Sequence, residues 1–267
     1  MAHRLSRAMW CAVWVLSCAS LALAQGRGGG GPAAAGGVSV LDTYSFWRLH
    51  HTLRPPMFQG SDGLKPALLP QGWLNLETAP PQAGWRDPNF DDTGWFRSTA
   101  PTVCRTPYLA RLCMRGKFLV SDPGRVRGLT LTVNYAGGAA AWLNGKLLAA
   151  DRVADSKAGW EFDDKAAAKP LTGLAIPANL LQRGVNVLAI EVVRPPFAGA
   201  VAGGKDPSYT LSADTCAVDK VQLAAPSADG LAPNASRPPG LQAWNSNVLA
   251  SDSDLDWATR RSRFARS

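Results

Sequence analysis

Histidine and glutamate are scarce in this chain of 267 residues. The histidines are His3, His50 and His51, and the glutamates are Glu77, Glu161 and Glu191. A Ser-His-Asp or Cys-His arrangement would have to borrow His50 or His51, adjacent and early, for a distant nucleophile. Neither G-x-S-x-G nor H-E-x-x-H occurs. The glycine tract at 28–31 follows no strand, so it is not a phosphate-binding loop. The cysteines, Cys11, Cys18, Cys104, Cys113 and Cys216, match no zinc spacing and have no histidines beside them to complete one. These shortages exclude the common catalytic and metal-binding patterns. The expectation is a protein that is not an enzyme and carries no cofactor and no metal.

No apolar run reaches the ~20 residues that a membrane-spanning helix needs. The first segment comes nearest, and its parts have another reading. Arg4 and Arg7 supply a positive start, Met9 to Ala24 an apolar middle, and Ala22-Leu23-Ala24 a small-residue exit. Together they form the pattern of a cleavable secretory signal, residues 1–24, and predict a secreted or periplasmic protein. Lipidation at Cys18 is the alternative. It fits less well, because Val15-Leu16-Ser17 makes a poor lipoprotein box and the apolar run continues past the cysteine. The formal charge of +8 is placed at the ends. Arg4 and Arg7 leave with the signal, and Arg260, Arg261, Arg263 and Arg266 crowd the C-terminus. The body between is close to neutral, which argues against a nucleic-acid partner. In an oxidising compartment Cys104 and Cys113, with a Thr106-Pro107 turn between them, predict a local disulfide that leaves Cys216 over.

Turn formers and short apolar alternations are plentiful, with 26 glycines and 20 prolines. Residues 25–37 are a Gly/Ala-rich leader with no side chains for a core. Residues 38–225 read as one domain, 226–240 as a Pro/Ser/Ala/Gly linker, and 241–267 as a tail resembling the truncated start of another module. Leu129, Leu131, Val133 and Tyr135 alternate with Thr130, Thr132 and Asn134, the period of a half-buried strand. Arg115–Val120, Ala139–Leu143, Val187–Arg194 and Ala217–Ala224 read as further strands. Asn144-Gly145 between Leu143 and Lys146 predicts a two-residue type I′ hairpin. Ile176–Leu181, with Pro177 near its start, reads as a short helical turn, and Asn186 as the residue that fixes the turn before the last long strand. Many short strands and few helices predict an all-β fold, a β-sandwich.

Four pieces stand in a fixed order: WRDPNFDDTGW at 85–95, RGKFLV at 115–120, LTLTVNYAGGAAAWLNGKLL at 129–148 and IPANLLQRGVNVLAIEVVR at 176–194. Their order resembles the galactose-binding-domain-like jelly roll. It is similar to the N-terminal sugar-binding domain of family 2 glycoside hydrolases, of the β-galactosidase and β-glucuronidase type. The resemblance spans about 73–223 and implies a jelly-roll β-sandwich ancillary to such an enzyme. A catalytic barrel of about 250 residues would not fit beside it.

What the resemblance implies is a secreted, non-catalytic carbohydrate-binding module, with a carbohydrate or neighbouring protein modules as partners. A structural or interaction domain that binds no sugar is the competing reading, since a fold supplies no ligand by itself. A sugar site needs an aromatic face ringed by polar groups. Trp160, Glu161 and Asp163 in one loop, with Trp85 in the opening loop, are the ligand-binding candidates. Trp142 reads as core. Asp91 and Asp92 are expected to accept backbone N–H groups and hold a turn so that Phe90 and Trp95 can enter the core, and Asn144 and Gly145 are turn chemistry. Asp91 and Asp92 could alternatively serve a calcium ion or a sugar, although no ligand set in the sequence requires calcium. Glu191 reads as solvent-facing or ion-paired.

Overall fold

The computed structural model describes residues 37–66, 77–98, 106–156, 159–198 and 215–232. The expected signal segment, nearly all of the expected leader, the tail and Cys104 lie outside them. In chain order the strands are β1 (Val38–Asp42), β2 (Trp47–Leu53), β3 (Met57–Gly60), β4 (Gly63–Pro66), β5 (Phe96–Ser98), β6 (Leu109–Val120), β7 (Thr130–Ala136) and β8 (Gly138–Leu143). They continue as β9 (Lys146–Asp151), β10 (Val153–Ser156), β11 (Gly159–Phe162), β12 (Leu174–Ala175), β13 (Gly184–Val193), β14 (Phe197–Ala198) and β15 (Ala217–Ala225). The fold is an all-β sandwich. One sheet has the order β1-β15-β7-β12, and the other β5-β2-β6-β13-β8-β9. The chain crosses repeatedly between the two sheets. A β10-β11 hairpin and a small β14-β3-β4 sheet stand beside them.

Strand alternation builds the core. Leu131 and Val133 from β7 and Val221 and Leu223 from β15 share one apolar cluster with Leu112, Met114, Phe118, Leu188, Ile190 and Val192 from β6 and β13. This is the period-2 rule filling the space between two sheets. Gly116 keeps the sheets close. A Cβ there would sit 2.6 Å from the Trp47 ring and 2.9 Å from a Leu41 methyl.

The turn chemistry holds. Asn144 and Gly145 both have positive φ, 49° and 78°, as a type I′ turn requires. Asn144 also works beyond its turn. Its amide donates to the Leu180 carbonyl and to Asn186 Oδ1, and its Oδ1 accepts the Val187 N–H. Asn186 is fully buried and exchanges hydrogen bonds with Gln182 and Gly184, so it fixes the turn into β13. The helical turn is a single 3-10 turn, Ala178–Leu180, following Pro177.

One expectation is corrected, and another falls partly outside the described residues. The first part of the expected linker is packed structure. Leu231 is buried in the core cluster and bridges to Val120, while Ser121 and Asp122 donate their N–H groups to the Gly230 carbonyl. Composition misled because Gly230 is there for close approach: its φ is +76°, and a Cβ would strike the Asp122 carbonyl. The expected Cys104–Cys113 disulfide involves Cys104, which lies outside the described residues. Cys113 is a free and fully buried thiol in the middle of β6, flanked in register by His50 and Glu191.

Candidate functional site

The outer face of the six-stranded sheet carries a buried group of charged and aromatic side chains. Between Leu112, Met114 and Phe118, β6 sends Arg111, Cys113, Arg115 and Lys117 to that face, and the opening motif at 85–95 lies across them. Arg115 has an entirely buried side chain. It donates to the carbonyls of Trp85, Asp87 and Phe90 and pairs with Asp92 at 2.8 Å. The motif is therefore a loop wound around one guanidinium. Lys117 approaches the same carboxylate at 2.9 Å and Arg48 at 3.9 Å.

This separates the two aspartates. Asp91 accepts from the backbone N–H and hydroxyl of Thr93, as expected of a turn residue, and those bonds hold its carboxyl below the ordinary range. Asp92 was expected to accept backbone N–H groups too. It is instead a buried counter-ion for three cations, because the like-charged neighbours Arg48 and Arg115 stand opposite each other in register and need a carboxylate between them.

A second ionic group lies deeper. Glu191, fully buried on β13, pairs with Arg86 at 2.8 Å and with Arg111 at 3.2 Å. Of the two expectations for Glu191, ion pairing holds and solvent exposure does not. Burial raises its carboxyl above the ordinary value, against the pull of Arg111 and Arg86. Burial also pushes the Cys113 thiol well up, and Glu191 adds to that, so the sulfur is no nucleophile. Arg86 is stacked on Trp85 and Trp142, 5.1 and 4.3 Å from their ring centres. Trp85, Trp95, Trp142, Trp160 and Phe90 form a contiguous aromatic layer with His50 at its rim.

A cleft of about 320 Å³ opens where this layer ends, between the ends of β2, β6 and β13, the β3-β4 hairpin and the β10-β11 hairpin. Its charged groups are Arg54, Arg111, Arg194, Glu77 and Glu161, and Phe162, Pro195 and Pro196 supply apolar wall. Arg111 ties the hairpin down by donating to the Trp160 carbonyl at 2.6 Å. Arg194 is nearly buried and donates to the carbonyls of Arg54, Pro55 and Pro107. Burial, with Arg54 nearby, lowers its pKa to about 10.

The four ligand candidates are not brought together. Glu161 is exposed and lines the cleft. Trp160 precedes it on β11, half-buried, its ring edge-on to Trp142 at 5.5 Å. Asp163 caps the next turn by accepting the Lys165 N–H and does not line the cleft. Trp85 is 3% exposed and offers no face to a ligand; its ring closes the aromatic layer. Trp142, at 4%, is core as expected. Glu77, Arg54, Arg111 and Arg194 were not nominated from sequence. The unusually rare glutamate type was the one signal that could have paired Glu77 with Glu161.

Among the described residues no group of three or more His, Cys, Asp or Glu could hold a metal ion. No helix among them is long and apolar enough to cross a membrane.

No family model matches the chain, and no curated protein does. Among solved structures it is similar to a glycosyl hydrolase family 2 member from Bacteroides cellulosilyticus DSM 14838, at 14% identity and a TM-score of 0.31. That match covers 58% of this chain and 18% of the other. The chain thus spans less than a fifth of that protein's length.

Proposed function

We propose that this chain is an exported, non-catalytic carbohydrate-binding module of the galactose-binding-like kind, ancillary to a glycoside hydrolase-like system, and that it takes its ligand in the cleft beside Glu161. The observation that supports this is the make-up of the cleft: an apolar wall at Phe162 and the two prolines, with carboxylates and guanidiniums converging on it. Sugar rings pair with such surfaces, apolar on one face and hydrogen-bonding at the edge. Export rests on the signal pattern of residues 1–24. The absence of catalysis rests on the histidines: His50 stands against Trp95, and neither His50 nor His51 lines the cleft.

A glycan array probed with the protein from Gln25 onward tests this. Binding that is weakened by Glu161→Ala is the expected result. Silence across plant, algal and bacterial polysaccharides would favour the second reading, a structural or interaction domain that binds no sugar. One observation favours that reading: the large flat rings of Trp85 and Trp142 are spent on internal packing and leave no open platform. Glu77 and Glu161 share the cleft, and glycoside hydrolysis uses two carboxylates. Turnover of chromogenic glycosides that disappears in both Glu77→Ala and Glu161→Ala would overturn the non-catalytic assignment.

A further inference from the structure

Within the carbohydrate reading, on which this inference rests, we propose that the cleft selects an anionic saccharide, with Arg54 and the buried Arg194 forming the subsite for its carboxylate or sulfate group.

The charges in the cleft are not equivalent. The Arg111 guanidinium is already committed, to Glu191 at 3.2 Å and to the Trp160 carbonyl. Arg194 is different. Among the described residues its partners are main-chain carbonyls, those of Arg54, Pro55 and Pro107. Carbonyls satisfy N–H groups but do not cancel a charge, and a desolvated cation without a counter-ion attracts an anion strongly. Two side chains act on Arg194 electrostatically: Cys216, a buried thiol that stays neutral, and the cation Arg54, which is exposed and lines the same cleft. Two guanidiniums that repel each other within one cleft are relieved when an anion binds between them. The Arg194 head is held in place by its three carbonyls, so little ordering cost remains for a ligand. Phe162, Pro195 and Pro196 offer apolar wall for the ring that bears the acid group. Glu77 and Glu161 also line the cleft. They are acceptors for ring hydroxyls, and they repel an acid group from every part of the cleft except the arginine corner. They therefore fix the direction in which an acidic sugar lies.

Isothermal titration of the protein from Gln25 onward tests the proposal, with three probes of equal length: galacturonate, sulfated galactan and neutral galactan oligomers. The expected result is that one or both acidic oligomers bind, with affinity falling as salt rises, and that the neutral oligomer binds more weakly. Arg54→Gln should then cost the acidic ligand about tenfold, the effect of losing one charge-assisted contact, and leave the neutral one unchanged. Arg54 is exposed, so its replacement does not threaten the fold. Arg194→Lys, which keeps the charge but loses the planar fork, should weaken acidic binding and also lower the thermal transition, because carbonyls of Arg54, Pro55 and Pro107 lose donors; the exposed Arg54→Gln therefore decides the test. The two acidic arms tell a carboxylate from a sulfate, and binding of either supports the assignment. Equal or tighter binding of the neutral oligomer, or acidic binding indifferent to Arg54→Gln, overturns the anionic subsite and leaves the carbohydrate reading standing. Failure of all three oligomers, together with a silent glycan array, overturns both.

Discussion

The two faces of the six-stranded sheet are built from the same strands by opposite chemistry. Inside, β6 and β13 present Leu112, Met114, Phe118, Leu188, Ile190 and Val192, an aliphatic layer that packs on the other sheet. Outside, the alternate residues of the same strands are Arg111, Cys113, Arg115, Ala189, Glu191 and Val193, covered by tryptophans and by a loop wound on a guanidinium. The inner face gains from apolar burial, which needs only the right size and shape. The outer face is held by buried ions, Asp92 shared by three cations and Glu191 by two, so each carboxylate holds several partners at once. Losing a partner there should cost more than losing volume inside.

The strongest test of that contrast is Asp92→Ala. It leaves Arg115 buried with carbonyl partners but no counter-ion, and also releases Lys117 and Arg48. A loss of about 3–5 kcal/mol is expected from breaking a buried pair on one side. Urea unfolding measures it, and Asp92→Asn should fare only slightly better because the charge is still missing. On the inner face, Leu188→Ala should cost about 2–4 kcal/mol through the cavity it leaves, with no dependence on salt or pH. If Asp92→Ala proves the milder of the two, the outer face is a cover on the sandwich and contributes little to its stability.

The pH dependence sharpens the comparison. Burial lowers the pKa of both His50 and His51, and His50 Nδ1 is buried without a hydrogen-bond partner. A folded-state value below the unfolded one means that the fold prefers the neutral ring. The contribution is present above the ordinary value of 6.5 and is lost as pH falls through it toward the lowered one. Glu191 has the opposite sign. Its value is raised, so its contribution is present below the ordinary 4.5 and is lost as pH rises through the folded value. The urea midpoint should therefore drop as pH falls below 6.5, and the His50→Gln, His51→Gln double variant should flatten that limb. A midpoint as steep in the double variant as in the parent would move the acid sensitivity away from the histidines.

The inner face was the legible half. Leu129, Leu131 and Val133 show their period directly, and Asn144-Gly145 states its turn, because both are local signals. The outer face is non-local. Glu191 looks like the solvent-facing residue of an apolar strand until Arg86, 105 positions earlier, is laid against it. Asp92 reads as one more turn aspartate beside Asp91, and only the position of Arg115, Lys117 and Arg48 on two other strands makes it a counter-ion. Trp85 passes for a binding platform because nothing nearby in sequence says that its loop folds across a sheet. The cleft was half legible for the same reason. Glu161 was nominated from its own loop, whereas Glu77, Arg54 and Arg194 reach the cleft from three distant segments.

Trp160 is where the two halves of that outer face meet, so its replacement should have the smallest effect on stability. The ring packs edge-on against Trp142 and is half-exposed. The bond that holds its strand in place runs from Arg111 to the Trp160 main-chain carbonyl, and alanine keeps that carbonyl. Trp160→Ala should therefore cost about 1 kcal/mol, the size of one aromatic pair contact, and move the melting temperature by only a few degrees. Any polysaccharide binding should weaken, because the half-exposed Trp160 ring stands beside Glu161 and Phe162, which line the cleft. A large fall in melting temperature would show that the Trp160 ring carries as much of the aromatic layer as the buried Trp85 and Trp142 do.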